Sequence, residues 1–238
     1  MKTVGIIGFG SFGKFLAEKL SSHARVRVYS QSGRTSSWMV SLEEAVDVDY
    51  VILAIPLDAY DTTLQMIKPL LKSHTVIVDV CSVKVKPIEI IRSVMPDQPL
   101  VATHPMFGPE SASVSFAGHT LVICPEASMP EPYEAIKHFA NSLGLGVVEM
   151  SADEHDREIA VVQGLTFFIA RGLNGVGVHD QKLFTPSFER LLKLAELEQH
   201  HSLELFKTIQ QGNPHTQAVR DTFIREISTI NHDLAETQ

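Results

Sequence analysis

The chain has 238 residues, 44% of them hydrophobic, and a formal charge of −8, enough for one large domain or two modest ones with a sizeable core. The acid excess leaves no basic footprint for nucleic acid and argues against anionic membrane surfaces, and no apolar run is expected to reach the ~20 residues that span a bilayer. The two cysteines, Cys81 and Cys124, lie beside apolar runs and read as buried free thiols of a reducing, cytoplasmic compartment.

The first eight residues, M-K-T-V-G-I-I-G, read as a strand entering a glycine loop rather than as a signal peptide. Residues 3–7 form an apolar run, then Gly8-Phe9-Gly10-Ser11-Phe12-Gly13 follows, then Phe15, Leu16 and Leu20 recur at helical spacing. Strand, G-x-G-x-x-G and helix in that order specify a dinucleotide site. One glycine makes the tight turn, one admits a pyrophosphate to the backbone, one lets helix and strand pack closely, and the helix N-terminus attracts the phosphate charge. Residues 8–13 are therefore assigned to the cofactor.

A second strand over 26–29 leads to Tyr29-Ser30-Gln31-Ser32-Gly33-Arg34. The acid that usually holds a ribose 2′-hydroxyl is missing. Ser30, Ser32 and Arg34 suit a 2′-phosphate instead, because arginine meets phosphate oxygens with a fork of donors. The expected cofactor is NADP rather than NAD, the bland alternative being a solvated turn.

Ser41-Leu-Glu-Glu44 spells a capping box. A third buried strand, 51–56, ends at Ile55-Pro56, which should lie near the cofactor. Apolar spacing predicts a helix over 57–71, a strand over 75–80, a helix over 87–94, strands over 100–103 and 120–124, a helix over 133–143 and a strand over 147–150. Strand and helix alternate throughout, so residues 1–150 are expected to form a Rossmann-like α/β domain with a mostly parallel sheet. Residues 151–238 carry helical patterns only: a long one from 151 to about 173, one opened by Pro186, one over 203–211 broken by Gly212-Asn213-Pro214, and a last one through Val219, Phe223, Ile227 and Ile230. Such an all-helical domain is short of core, which predicts a homodimer through it.

Chemistry concentrates between Asp79 and Glu110. The runs 75–80 and 100–103 end in D-V-C-S-V-K (79–84) and T-H-P-M-F-G-P-E (103–110). Strand ends of a parallel sheet deliver such groups to its active rim. A neutral imidazole at His104 suits proton abstraction near neutral pH.

These two motifs, behind G-F-G-S-F-G, resemble the prephenate/arogenate dehydrogenase family, with wording closest to the plant-type arogenate dehydrogenases. The resemblance is strong over 1–125 and visible at 153–173 and 185–192. It implies a dehydrogenase that oxidises a cyclohexadienol ring and releases its ring carboxylate as carbon dioxide, giving tyrosine or 4-hydroxyphenylpyruvate. It places the family's catalytic histidine on His104 and its hydroxyl-binding serine on Ser82, a residue also expected near the cofactor. Lys84 would orient the loop, approach the nicotinamide ribose or simply pair with an acid. A plant-like source would move the expected location to the plastid stroma, with a transit segment removed.

Two departures stand out. The family usually carries a substrate-facing histidine on the long helix, and the alignment puts Phe167 there. Its carboxylate-pairing arginine has no match near Gly212-Asn213-Pro214-His215, leaving Arg171, Arg190 and Arg220 as alternatives. Gln163 and Thr166 are candidate substrate contacts. His200, His201 and Glu204 read as a solvated helix face, so no metal is expected. His155-Asp156 suits a capping or interface role, and Cys81 a packing role. The chain is expected to end without a regulatory or mutase domain. The departures keep two other readings open: a related NADP-dependent enzyme for a β-hydroxyacid or cyclic imine, and a cofactor-binding protein with a lost substrate site.

Overall fold

The computed structural model describes residues 1–31, 35–125, 130–178, 181–199 and 201–236, and it divides into two compact units, Met1–Ala152 and Asp153–Gln238. Ser32 and Arg34, two of the three groups expected at a 2′-phosphate, lie outside the described residues, as does His200.

The first unit is built on seven strands: β1 (Thr3–Ile7), β2 (Arg25–Tyr29), β3 (Tyr50–Leu53), β4 (Val76–Asp79), β5 (Leu100–Pro105), β6 (Thr120–Cys124) and β7 (Gly146–Glu149). Their order is 2-1-3-4-5-6-7, and every neighbouring pair is parallel except β5 with β6. Helices α1 (Ser11–Leu20) and α5 (Pro130–Ser142) contribute to the core on one face. Helices α2 (Leu42–Val46), α3 (Tyr60–Ile67) and α4 (Val85–Val94) contribute to the core on the other. A sheet covered on both faces needs apolar residues at successive positions, which is why the central strands read as unbroken runs. The chain changes its winding direction between β1 and β3, and the crevice beyond the strand ends at such a switch point is where open α/β sheets bind ligands.

Local chemistry sets the element ends. The capping box at Ser41 is present: its hydroxyl accepts from Glu44 N at 3.2 Å, and Ser41 N donates to the Glu44 carboxylate at 3.0 Å. The helix expected over 57–71 is shorter, because tight 3₁₀ turns, Leu57–Ala59 and Lys68–Leu70, flank α3. Pro69 cannot donate to an α-helical ladder, so the helix tightens and stops there. The strand expected to stop at Thr103 runs on through His104 to Pro105. Antiparallel β6 extends the ladder beyond the reach of β4, pairing Thr103 with Ile123 and His104 with Val122.

The second unit is helical. Helix α6 (Ala152–Ile159), a π-helical segment (Ala160–Leu165) and α7 (Thr166–Val176) form one continuous run, closed by Gly177 in the left-handed region at φ +76°. Then follow α8 (Pro186–Gln199), α9 (Leu203–Gly212) and α10 (Thr216–Glu236). The π segment was not expected from the sequence. A widened turn leaves its carbonyls without the usual helical partner. Gln210 Nε2 donates to one of them, Gly164 O, at 2.6 Å. Gly164 also sits so close to α10 that an added Cβ would lie 2.8 Å from Thr216 Cγ2.

The run Ala152–Val176 is long and apolar enough to cross a membrane by length and composition only, and 28% of its apolar window is buried within the chain. Among the described residues, the buried apolar side chains of this unit are Ile159, Ala160, Phe167, Ala170, Val178, Ala195 and Ile209, and none belongs to the three core clusters of the first unit.

Candidate active site

The glycine loop sits between β1 and α1, at the switch point. Gly8 has φ +107°, and a Cβ there would lie 2.2 Å from Ala54 O; a Cβ on Gly13 would lie 2.2 Å from Gly8 O. Both positions require glycine because backbone crosses backbone. Gly10 differs: nothing lies within 4 Å of its would-be Cβ. The open space at Gly10, with α1 carrying neither a capping side chain nor an acid in its first turn, is the cradle a pyrophosphate needs. The residues present therefore fit a dinucleotide.

The other cofactor candidates separate. Phe9 is buried in the core, so only its backbone faces the loop, whereas Ser11 is exposed and Phe12 is half-buried, packing against Phe15 at 5.9 Å between ring centroids. Ile55 is half-buried, and its Cγ2 would lie 2.9 Å from a Cβ on Gly8; Pro56 caps the turn after β3 and is exposed. Ser30 is half-buried immediately after β2.

Asp79 closes β4 and organises the next loop. Its carboxylate is fully buried and accepts from Tyr60 Oη at 2.6 Å, from Cys81 N at 3.0 Å and from the ammonium of Lys84. Lys84, also fully buried, donates to Thr103 O at 2.6 Å, and Thr103 Oγ1 returns a bond to Asp79 O at 2.7 Å. The ion pair with an acid, one of the readings of Lys84, is formed. Burial pushes the Cys81 thiol up to about 12, with the Asp79 carboxylate adding to the shift, so it stays protonated and packs, as expected. Burial, then the Asp79 charge, likewise raises the Tyr60 phenol well above its ordinary value.

Ser82 is half-buried in this loop, and His104 is buried on β5 at 3% exposure. Side chains alternate along a strand, so His104 shares the face of Ala102, which clusters with Ile88 of α4. The Ser82 loop leads into that helix. Ser82, in the loop after β4, and His104, near the end of β5, thus lie at the carboxyl edge of two adjacent parallel strands, with β3 standing between β4 and the β1 strand that leads into the glycine loop. Sequence reasoning missed Asp79, Tyr60 and Thr103. The signal was legible: an acid ending an apolar strand needs a cation, and a lysine follows five residues later.

Within the helical unit, Gln163 and Thr166 are half-buried, and Gln163 Oε1 is buried and accepts no hydrogen bond from the described residues. Phe167 packs on His201, ring centroids 4.4 Å apart. Arg220 donates to Gln210 O at 2.8 Å and to Gln210 Oε1 at 2.6 Å, and the Arg171 guanidinium lies 4.4 Å from the Phe206 ring centroid. His155 Nδ1 and Asp156 Oδ1 are 2.8 Å apart and buried, Asn213 Nδ2 donates to Asp156 O at 2.7 Å, and His215 Nε2 lies 2.7 Å from Asp153 Oδ1. Asp156 and Asn213 thus serve to join helices. Among the described residues no group of three His, Cys, Asp or Glu side chains is placed to hold a metal.

Residues 23–149 match the family model "Prephenate dehydrogenase, nucleotide-binding domain", a match that begins beyond the glycine loop and so adds to the loop's geometry independently. The chain is 30% identical to arogenate dehydrogenase 2, chloroplastic, of Arabidopsis thaliana, over 89% of this chain and 64% of that protein. It is 27% identical to the cyclohexadienyl dehydrogenase of Zymomonas mobilis, over 98% and 89% respectively. The chain spans less than two thirds of the first curated relatives it matches: 64% and 37% of two Arabidopsis arogenate dehydrogenases. Among solved structures, the prephenate dehydrogenase of A. aeolicus in complex with hydroxyphenyl propionate and NAD+ shares the fold at a TM-score of 0.77 and 18% identity, covering 99% of this chain and 91% of that one. The Synechocystis arogenate dehydrogenase does so at 0.70 and 18%, covering 98% and 93%. The family model spans more than half of the chain, and the chain belongs to the prephenate dehydrogenase family.

Proposed function

We propose that this chain carries out the NADP-dependent oxidative decarboxylation of arogenate or prephenate. The observation that carries the reading is that Ser82, in the loop after β4, and His104, near the end of β5, lie at the carboxyl edge of neighbouring parallel strands, in the same sheet whose β1 leads into a glycine loop shaped for a dinucleotide. The nicotinamide, when bound, supplies the hydride acceptor. Gly8 and Gly13 shape the pyrophosphate loop, and Gly10 leaves it open. Ser82 holds the substrate hydroxyl, and the His104 imidazole takes its proton as the carbonyl forms. Carbon dioxide then departs as the ring becomes aromatic. Buried position matters here: with water excluded, a well-placed imidazole contributes typically 10²–10⁴-fold.

Support for NADP comes from Ser30, Ser32 and Arg34 and from the lack of an acid between Tyr29 and Arg34. Gln163 and Thr166 remain the helical unit's candidates for the substrate's polar groups. Steady-state assays of arogenate and prephenate, each with NADP+ and NAD+, test the reading. Reduction of NADP+ with one of the two substrates is expected, and reduction by neither substrate with either cofactor contradicts it.

The proposed partner of the helical unit is a second copy of the chain. On α10, Phe223, Ile227, Ile230 and Leu234 recur at spacings of four, three and four, a coiled-coil-like seam, and Ile227, Ile230 and Leu234 are exposed. Light scattering at micromolar concentration should return twice the 26.3 kDa chain mass; a monomer overturns the assignment.

A further inference from the structure

We propose that Lys84 is a positioning residue for the reaction assigned above, and that with Asp79 and Tyr60 it fixes Ser82 and His104 relative to each other. The proposal rests on that functional reading and goes beyond it, since it has Lys84 act through the two residues it holds in place.

The geometry is specific. Lys84 is the only lysine that is buried among the described residues. It stands two residues after Ser82, and its ammonium bonds the carbonyl of Thr103, the residue immediately before His104. Asp79, which also accepts from that ammonium, ends the strand that leads to Ser82. Asp79 in turn accepts from Tyr60 on α3 and from Cys81 N inside the loop, and Thr103 donates back to Asp79 O. One ammonium therefore ties the loop carrying Ser82 to the strand carrying His104, at the point where the β4–β5 pairing ends.

Burying a charge pair is costly, and apolar residues of similar size serve stability as well or better. A pair placed here, in the connection between the two reacting side chains, has a geometric use that an apolar substitute lacks. A displacement of about 1 Å between catalytic groups is enough to cost roughly 10²-fold in rate.

The test compares the unaltered chain with Lys84→Met, Tyr60→Phe and the double variant Asp79→Asn, Lys84→Met. Each is measured for dinucleotide affinity and stoichiometry by titration, for melting temperature, and for kcat per dinucleotide-binding site. Lys84→Met is expected to lose roughly 10²-fold in kcat per site while dinucleotide affinity changes less than about threefold. Tyr60→Phe, which removes one bond to Asp79, is expected to lose about three- to tenfold. The double variant removes both charges, so it should regain much of the melting temperature lost by Lys84→Met yet stay slow. Recovery of kcat per site in the double variant, or a normal kcat per site in Lys84→Met, overturns the proposal and reduces the pair to a stabilising role. Should Lys84→Met fail to fold, the double variant and Tyr60→Phe decide alone. An unaltered chain that binds dinucleotide but oxidises neither substrate fails the functional reading itself, and the proposal falls with it; an active unaltered chain with unaffected variants fails the proposal alone.

Discussion

The two units of the chain solve the problem of burial in opposite ways. The sheet unit has apolar residues on both faces and few buried charges, and those few converge on one loop, where Asp79, Lys84, Tyr60 and Thr103 satisfy one another. The helical unit buries few apolar side chains of its own and leaves Val161, Val162, Val176, Ile227 and Ile230 exposed. A unit that completes its own core can hold reacting groups rigidly. A unit that leaves its core unfinished calls for a partner. The proposed function divides the work along this contrast, with catalysis in the first and association in the second, and each half of that proposal can be broken separately.

The largest effects should come from the glycine loop. Gly13→Ala drives a methyl group into Gly8 O, and the loop must shift to accept it. Dinucleotide affinity is expected to fall by at least about 10²-fold in a calorimetric titration, close to the limit set by losing one phosphate cradle. His104→Asn comes next. It should lower kcat by at least about 10² while leaving dinucleotide affinity unchanged, which separates proton transfer from cofactor binding. Near-normal turnover in that variant removes the base from the mechanism.

The helical half is sharpened by Ile227→Asp with Ile230→Asp. Placing two charges in the exposed seam of α10 should shift the chain to monomers in light scattering while its dinucleotide affinity stays within about twofold. A smaller effect is expected in acid. Thr3 N and then the Thr3 hydroxyl donate to Asp49, holding its carboxyl down at about 2. Because the folded value lies below the unfolded one of about 3.9, the stabilisation is present above pH ~4 and is lost as pH falls through ~2. The Asp49 side chain is 36% exposed, so solvent screening limits the contribution to about 1 kcal/mol. Asp49→Asn should lower the melting temperature near neutrality by about 2–4 °C and flatten the decline between pH ~4 and ~2.

What the sequence disclosed followed physical rules of different reach. The glycine loop, the apolar strands and the capping box are local patterns, and they were legible residue by residue. The end of β5 was not, because His104 is held by pairing with Val122, eighteen positions on, and only the arrival of β6 decides how far the ladder runs. The π segment at Ala160–Leu165 was hidden for the same reason: Gln210 and Thr216 meet it from two other helices. Tyr60 shows the cost of reading helices by periodicity alone. It counted as an apolar position on α3, and its ring is indeed buried, but its hydroxyl is one of the supports of Asp79.

The central claim of the proposed function is that Ser82 and His104, set at the edge of a dinucleotide-binding sheet, hold and deprotonate the hydroxyl of a cyclohexadienol acid as NADP+ oxidises it. It is tested most directly by mixing the purified chain with NADP+ and arogenate or prephenate and following cofactor reduction and carbon dioxide release together. The account predicts that both appear in equal amounts with at least one of the two substrates, and that His104→Asn abolishes them in parallel. Tight dinucleotide binding with neither reduction nor carbon dioxide from either substrate would contradict it.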